Sequence, residues 1–280
     1  MRCLFIPFLS TERKPFVKYT SILSGIGLLG VWLLLASPLQ AGEGIWKPPL
    51  KSRFDWQLTE PFNYTRPTDV IDLDLFDAEP EQIAALKKRG VRLICYINVG
   101  AWEDWRSDKT TFPDEVLGNA YEGWAGERWL DIRNIRQLAP IMRARMDLCR
   151  DKGFDAIEPD NMDGHHNDTG FPLTAKDQLR YNVWLAKEAH ARGLSIGLKN
   201  DSDQVEELID HYDWALTEGC FHQKWCDRLT PFVKRGKAVF AVEYTDAKID
   251  FAAFCRQARK LGLNGIMKKR NLAAWLRRCP

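Results

Sequence analysis

Short apolar runs rich in β-branched residues recur eight times along the chain, separated by longer segments whose apolar positions have helical spacing. Strands that alternate with helices form a parallel sheet, and eight is the number of strands that closes a barrel. The sequence therefore predicts an α/β fold, a (β/α)₈ TIM barrel. The eight runs are Phe54–Leu58, Val70–Phe76, Arg92–Asn98, Phe154–Glu158, Leu194–Lys199, Asp213–Thr217, Ala238–Glu243 and Asn264–Lys268.

The segments between these runs carry the signals that begin and end helices. The segment 79–90 opens with acids and a proline and ends in basic residues and a glycine, which suits the helix dipole. The segments 135–152, 175–192 and 251–261 each end just before a glycine. An open doubly wound sheet is the structural alternative, but the Gly-rich fingerprint of its nucleotide-binding members is missing.

The start of the chain has a targeting pattern and not a globular one. Basic residues precede the apolar run Ile22–Ala36, and a small residue, Ala41, follows at a plausible cleavage point. We assign residues 1–41 to a signal peptide, 42–52 to a lead-in segment and 53–280 to one secreted barrel domain. An uncleaved signal anchor is the alternative, although the run falls short of the roughly 20 residues that span a bilayer.

Charge and motifs narrow the possible partners. The signal segment carries four basic residues and one acid, so the barrel domain has a net charge of about −1 within a chain of +2. A nucleic-acid binder normally shows a basic surplus, so we expect no nucleic-acid partner. We also expect no cofactor, no stable membrane insertion after cleavage, and a monomer.

Six of the seven cysteines lie in the barrel domain, and an exported protein meets an oxidising compartment. Cys220 and Cys226 could close a local disulfide, and Cys255 could pair with Cys279. Cys95 lies inside an apolar strand pattern, where a buried free thiol is an equally good interpretation.

Polar and acidic side chains are concentrated at the ends of the predicted strands, where barrels of this kind place their chemistry. They include Asp72, Asp74, Tyr96, Asn98, Glu158, Asp160, Lys199, Asn200, Glu218 and Glu243. Paired carboxylates on different strands are what glycosidic bond cleavage requires. The alternative is a structural role, such as an ion pair between Lys199 and Glu158.

Strand alternation narrows this set, because every second side chain of a strand points into the barrel. Glu158 and Asp160 share a face, and Glu218 follows two apolar positions of its own strand. By the same parity Lys199 follows Gly197, and Glu243 follows Ala241. We therefore predict that these ionisable groups meet in one cleft.

Aromatic and histidine residues add two further expectations. Trp102 and Trp105 fall in a predicted binding loop, and an apolar sugar face stacks on such rings. The segment 158–168 contains several acids together with His165 and His166, which invites a metal hypothesis. The spacing of these residues matches neither an EF-hand loop nor an HExxH motif. We therefore expect that they form an ordinary polar loop and bind no metal.

Several stretches of the chain resemble glycoside hydrolase family 114, the endo-α-1,4-polygalactosaminidase group. The stretches run in order through most of the barrel domain, and Gly-Phe-Asp-x-x-Glu-Pro-Asp-Asn at 153–161 is the most specific. The resemblance implies a (β/α)₈ barrel that acts on α-1,4-linked galactosamine polymers, with Asp160 and Glu218 as the catalytic pair. It also implies cleft positions for Tyr96, Asp131, Glu158, Asn161, Lys199, Asn200 and Glu243.

We expect a secreted glycosidase that cleaves an amino-sugar polysaccharide internally. Asp160 is predicted as nucleophile or charge stabiliser. Glu218 is predicted as general acid/base, since apolar neighbours raise the pKa of a carboxyl group. Two alternatives remain: a non-catalytic polysaccharide-binding barrel, and a metal-dependent polysaccharide hydrolase or deacetylase.

Overall fold

A computed structural model describes residues 44–280 of the chain. The predicted signal peptide, residues 1–41, lies outside the described residues. Within the described part, no helix is both long and apolar enough to cross a bilayer. The lead-in segment is fastened to the amino-terminal ends of the barrel strands. Lys47 Nζ lies 2.8 Å from Asp213 Oδ1, and the N–H of Ser52 donates to Asn264 Oδ1 at 3.1 Å.

Eight parallel strands form the barrel, as the sequence predicts. Each strand pairs in parallel with the next one around the barrel, and the last lies beside the first. In that order they are β1 Phe54–Gln57, β2 Val70–Asp74, β3 Arg92–Asn98, β7 Ala156–Asp160, β8 Ser195–Lys199, β9 Trp214–Glu218, β10 Val239–Tyr244 and β11 Asn264–Lys268.

Side-chain alternation divides the apolar residues into two cores. One core lies between the strands and the helices. The other fills the barrel interior with residues that include Phe54, Trp56, Val70, Ile94, Ala156, Trp214, Leu216, Phe240, Val242 and Ile266. Gly197 belongs to this interior by necessity, because a Cβ there would lie 2.5 Å from the Trp214 ring. That ring therefore fills the barrel below the next inward position of β8, which is Lys199.

Six α-helices cover the barrel within residues 44–280, where the repeating pattern predicts a helix after each strand. They are α1 Pro80–Lys88, α2 Ile135–Lys152, α3 Ala175–His190, α4 Val205–Leu208, α5 Thr230–Lys234 and α6 Phe251–Leu261. The connection from β1 to β2 has no helix, because Pro61 and Pro67 interrupt a short polar segment. The four helices predicted individually match α1, α2, α3 and α6 to within about two residues.

A small antiparallel sheet is inserted between β3 and α2, and the sequence pattern does not reveal it. It consists of β4 Ala101–Glu103, β5 Leu117–Ala120 and β6 Glu127–Leu130, in the order β4-β6-β5. These strands have three or four residues each, too few to establish a period. The insertion lies at the carboxyl end of the barrel, directly beside the functional cavity.

Three disulfides connect the elements. Cys220–Cys226 closes the loop after β9, and Cys255–Cys279 joins α6 to the end of the chain, as the spacing allows. The free-thiol interpretation of Cys95 is wrong, because this residue points outward from β3 and bonds to Cys149 of α2. The end of the chain adds β12, Arg277–Arg278, antiparallel to β11.

Candidate active site

A cavity of about 780 Å³ opens at the carboxyl ends of the barrel strands. Residues from at least six strands and from the inserted sheet line it. Among those predicted from the sequence, the lining includes Asp74, Tyr96, Asp160, Asn161, Lys199, Asn200, Glu218 and Glu243. The position agrees with the general rule for this fold, in which loops at the carboxyl end build the functional site.

Lys199 stands at the centre of the cavity floor and bridges three carboxylates. Its Nζ lies 2.8 Å from Glu158 Oε1, 2.6 Å from Asp160 Oδ1 and 3.1 Å from Glu218 Oε2. The ammonium also lies 4.9 Å from the centre of the Trp56 ring. Burial alone would lower the pKa of Lys199, but the three carboxylates together raise it well above its usual value. Lys199 is therefore a permanent buried cation.

Each of the two exposed partners of Lys199 is also held by a tyrosine. The Tyr96 hydroxyl donates to Asp160 Oδ2 at 3.0 Å, and the Tyr244 hydroxyl donates to Glu218 Oε1. Burial, reinforced by the facing carboxylate, raises the pKa of both tyrosines well above the usual value, so both remain donors. Asp160 and Glu218 thus face each other across the ammonium, and both are partly exposed to the cavity.

A second acid pair lies below this group. Asp72 pairs in register with Ile94, two residues deeper than the Asp74–Tyr96 level, and is fully buried beside Glu158. Burial and the neighbouring Glu158 carboxylate raise the pKa of Asp72 well above its usual value. Burial also raises the pKa of Glu158 to about 7, although Lys199 opposes this. Asp72 thus lies beneath the cavity and does not line it.

Glu243 does not join the group around Lys199, which corrects the parity prediction. Phe240 and Val242 fill the barrel interior, so Tyr244 is the next inward side chain of β10. Glu243 points the other way, and its Oε1 accepts a hydrogen bond from the N–H of Phe221 at 2.7 Å. It lines one edge of the cavity by holding the loop after β9.

Amide side chains fix the backbone around the two exposed carboxylates. Asn200 Oδ1 accepts the N–H of Glu218 at 3.0 Å, which ties the end of β9 to the loop after β8. Asn98 Oδ1 accepts the N–H of Ala101 at 2.8 Å and the side-chain amide of Asn161 at 3.2 Å. Asn98 is buried behind the cavity wall, so its role is to support Asn161.

Asp74 forms one half of a buried ion-pair network on the other side of the cavity. Arg106 binds it through two parallel hydrogen bonds of 2.8 and 2.6 Å. The same guanidinium also binds Glu103 at 2.8 and 2.9 Å. Both acceptors are therefore occupied by one arginine, and this edge of the cavity is rigid.

Glu127 is a functional candidate that the sequence does not reveal. It lies on β6 directly opposite Glu103 of β4, is 7% exposed, and lines the cavity. The Asn98 amide donates to its Oε2 at 3.3 Å. Burial, followed by the charge of Asp160, raises the pKa of Glu127 to about 8. The inserted sheet thus contributes a carboxyl group that is protonated at neutral pH.

Replacing Glu127 with glutamine is expected to stabilise the protein increasingly as pH rises from about 4.3 to about 8. The unfolded chain loses this proton at about pH 4.3, whereas the folded protein keeps it up to about pH 8. Ionisation therefore opposes folding within that window, and stability falls as pH rises through it. Urea unfolding of Glu127→Gln should match wild type near pH ~5 and exceed it near pH ~9, by a few kcal/mol at most.

The exposed Glu122 in the same loop is the matched control. Glu122→Gln should leave the pH dependence of unfolding unchanged. A difference between Glu127→Gln and wild type that stays constant from acid to alkaline pH would contradict the assigned burial.

Two further predicted residues, Asp131 and Trp102, lie outside the cavity. The Asp131 carboxylate is bound by Arg133 at 2.7 and 2.8 Å, and the Trp102 indole N–H donates to the carbonyl of Lys109 at 3.0 Å. Neither residue is among those that line the cavity. Trp105 and Trp124 line the cavity instead, and each is about half exposed. They offer flat apolar faces of the kind on which sugar rings stack.

The cavity carries an excess of negative charge. Eight carboxyl groups and three permanent cations line it, and even with Glu127 protonated the acids outnumber the cations, so an approaching cation is attracted. The acids are Asp74, Asp77, Glu103, Glu127, Asp160, Asp163, Glu218 and Glu243, and the cations are Arg106, Lys199 and Arg270.

An eight-stranded parallel barrel with carboxylates and exposed aromatic rings at its carboxyl end defines the class of TIM-barrel glycosidases. The chain belongs to glycoside-hydrolase family GH114, whose family model matches residues 36–280. The family resemblance of the sequence motifs is thereby confirmed. A comparison with curated protein sequences gives no match.

The solved structures that are similar to this chain include the following two. The crystal structure of Aspergillus fumigatus Ega3 in complex with galactosamine shares 34% sequence identity, with a TM-score of 0.80 over 85% of this chain and 98% of that chain. The glycoside hydrolase domain of PelA from Pseudomonas aeruginosa shares 14% identity, with a TM-score of 0.61 over 81% of this chain and 100% of that domain. At that lower identity, the second likeness supports the fold alone.

Proposed function

We propose that this glycosidase is secreted and cleaves galactosamine-containing polysaccharide at internal α-1,4 linkages. The observation that carries this proposal is the Asp160–Lys199–Glu218 bridge in an acidic cavity. A galactosamine residue without its acetyl group is a cation, which such a cavity attracts. The similarity to Ega3, whose structure contains galactosamine, supports the same substrate class.

The arrangement supplies both groups that glycoside hydrolysis needs. Glu218 donates a proton to the glycosidic oxygen while Asp160 attacks the anomeric carbon, so the C–O bond to the leaving sugar breaks as the bond to Asp160 forms. Glu218 then takes a proton from water, which attacks the same carbon and releases Asp160. Lys199 and Tyr96 hold Asp160 in position, and Tyr244 holds Glu218.

Their shared contact with Lys199 keeps the two carboxylates close together, as a retaining mechanism requires. Asp160 Oδ1 and Glu218 Oε2 contact the same ammonium at 2.6 and 3.1 Å, so these oxygens are under about 6 Å apart. Retaining enzymes hold the two groups about 5–5.5 Å apart, whereas inverting enzymes need roughly 6.5–9.5 Å to admit a water.

The first test is hydrolysis of an α-1,4-linked galactosamine polymer by the purified protein, followed by NMR. Oligomers should accumulate from the start, because cleavage is internal, and the first reducing ends should have the α configuration. A β product would contradict retention but not the substrate. Binding without any product release would favour the non-catalytic alternative.

Secretion is supported by two independent features. The first is the targeting pattern at residues 1–41. The second is the set of three disulfides in the barrel, since disulfides persist in oxidising compartments.

A further inference from the structure

We propose a structural site for a divalent transition metal, with zinc as the best fit, formed by His165, His166 and Asp201. One ligand atom from each residue lies within 4.8 Å of the other two. The two histidines follow β7, and Asp201 follows β8, so the three come together only through the fold. The third ligand is therefore not among the acids of the segment 158–168, which lie beside the histidines in the sequence.

A buried polar atom at this site independently indicates a missing ligand. Asp201 is 2% exposed; its Oδ2 accepts from the Asn182 amide at 2.9 Å, but its Oδ1 has no hydrogen-bond partner within residues 44–280. Buried polar groups are seldom left unpaired. A cation bound to Asp201 Oδ1 would satisfy this oxygen.

The donor set selects the class of metal. Two imidazole nitrogens and one carboxylate oxygen suit zinc and similar divalent ions, whereas magnesium and calcium prefer oxygen ligands alone. His166 Nε2 also lies 3.2 Å from Asp203 Oδ2. That contact provides the kind of carboxylate–histidine support that orients metal-bound imidazoles.

The position of the site assigns it a structural role. The three residues are absent from the cavity lining, but their loops carry lining residues, with Asp163 on one loop and Asn200 on the other. A metal held between the loops would therefore link the two segments that follow Asp160 and Lys199. Its effect should be on stability, and hydrolysis should continue without it.

The test is zinc binding by the full chain, measured by calorimetry and thermal unfolding. Wild type should bind one Zn²⁺ per chain at this site, and its Tm should rise by roughly 5–10 °C at a hundredfold excess over Kd. Loss of an outer-shell partner alone weakens metal sites about 10–100-fold. His166→Gln and Asp201→Asn should therefore each weaken binding at least about 100-fold.

His211→Gln is the matched control, because His211 lies at the opposite end of the barrel, just before β9. This variant should bind Zn²⁺ like wild type. His166 is half exposed, so its replacement leaves folding intact and the comparison valid. No binding by wild type, or equal binding by wild type and both ligand variants, would overturn the proposal. Hydrolysis measured with and without a chelator is independent of that outcome, so the proposed glycosidase function is tested separately.

Discussion

Replacing Asp160 with asparagine, or Glu218 with glutamine, is expected to lower kcat on a galactosamine polymer by about 10³-fold or more. Asparagine cannot attack the anomeric carbon, and glutamine cannot donate and then recover a proton. Both substitutions keep the size of the side chain, and both sites are partly exposed to the cavity. The fold should therefore survive, and kcat and kcat/KM should fall together.

Exposed acids on the helices are the matched controls for these two variants. Asp151→Asn on α2 and Glu81→Gln on α1 make the same chemical changes far from the cavity. They should leave the kinetics unchanged. Near-wild-type hydrolysis by either Asp160→Asn or Glu218→Gln would exclude that residue from the catalytic pair.

Replacing Lys199 with methionine should reduce both activity and stability. Methionine fills a similar volume but leaves the fully buried Glu158 without its counter-charge. Removal of one partner from a buried ion pair typically costs about 3–5 kcal/mol. Because Lys199 also holds Asp160 and Glu218 together, we expect kcat to fall about 10²-fold or more. Urea unfolding and polymer hydrolysis measure the two effects.

A double substitution separates the effect of the unpaired buried charge on stability from the effect of losing Lys199 on activity. Lys199→Met combined with Glu158→Gln removes both buried charges, so much of the lost stability should return while activity stays low. Lys176→Met, on the exposed face at the start of α3, is the matched control and should change neither property. Full stability of Lys199→Met alone would contradict the assignment of Lys199 as the central buried cation.

The periodic part of the fold can be predicted from the sequence because each barrel strand is a mainly apolar run of four to seven residues that alternates with segments of helical spacing. Strand parity also predicts that Asp160, Glu218 and Lys199 lie close together. In the structure, Lys199 contacts both carboxylates. The parity prediction fails for the orientation of Glu243. Both faces of the run Ala238–Glu243 are apolar, so the sequence does not show which face points into the barrel. The aromatic residues Phe240 and Tyr244 in β10 are the signal that corrects it, since barrel interiors take the bulkier side chains.

Other residues of the site cannot be predicted from strand periodicity. Glu127 reaches the cavity only because β6 pairs with β4. Strands of three or four residues are too short to show a period in the sequence. The same holds for Asp131, whose carboxylate is neutralised by a local arginine that no spacing rule identifies. Asp201 meets His165 through the packing of two loops, which depends on the tertiary fold alone.

The most direct test of the catalytic pair is the identity of the product formed when azide rescues the two variants on an activated aryl α-galactosaminide. In a retaining enzyme, azide replaces a missing nucleophile by direct displacement, or attacks the covalent intermediate when the general base is missing. Asp160→Asn should therefore yield the β-glycosyl azide, and Glu218→Gln the α-glycosyl azide. The reverse assignment would exchange the two roles, and no rescue together with undiminished hydrolysis would contradict the pair itself.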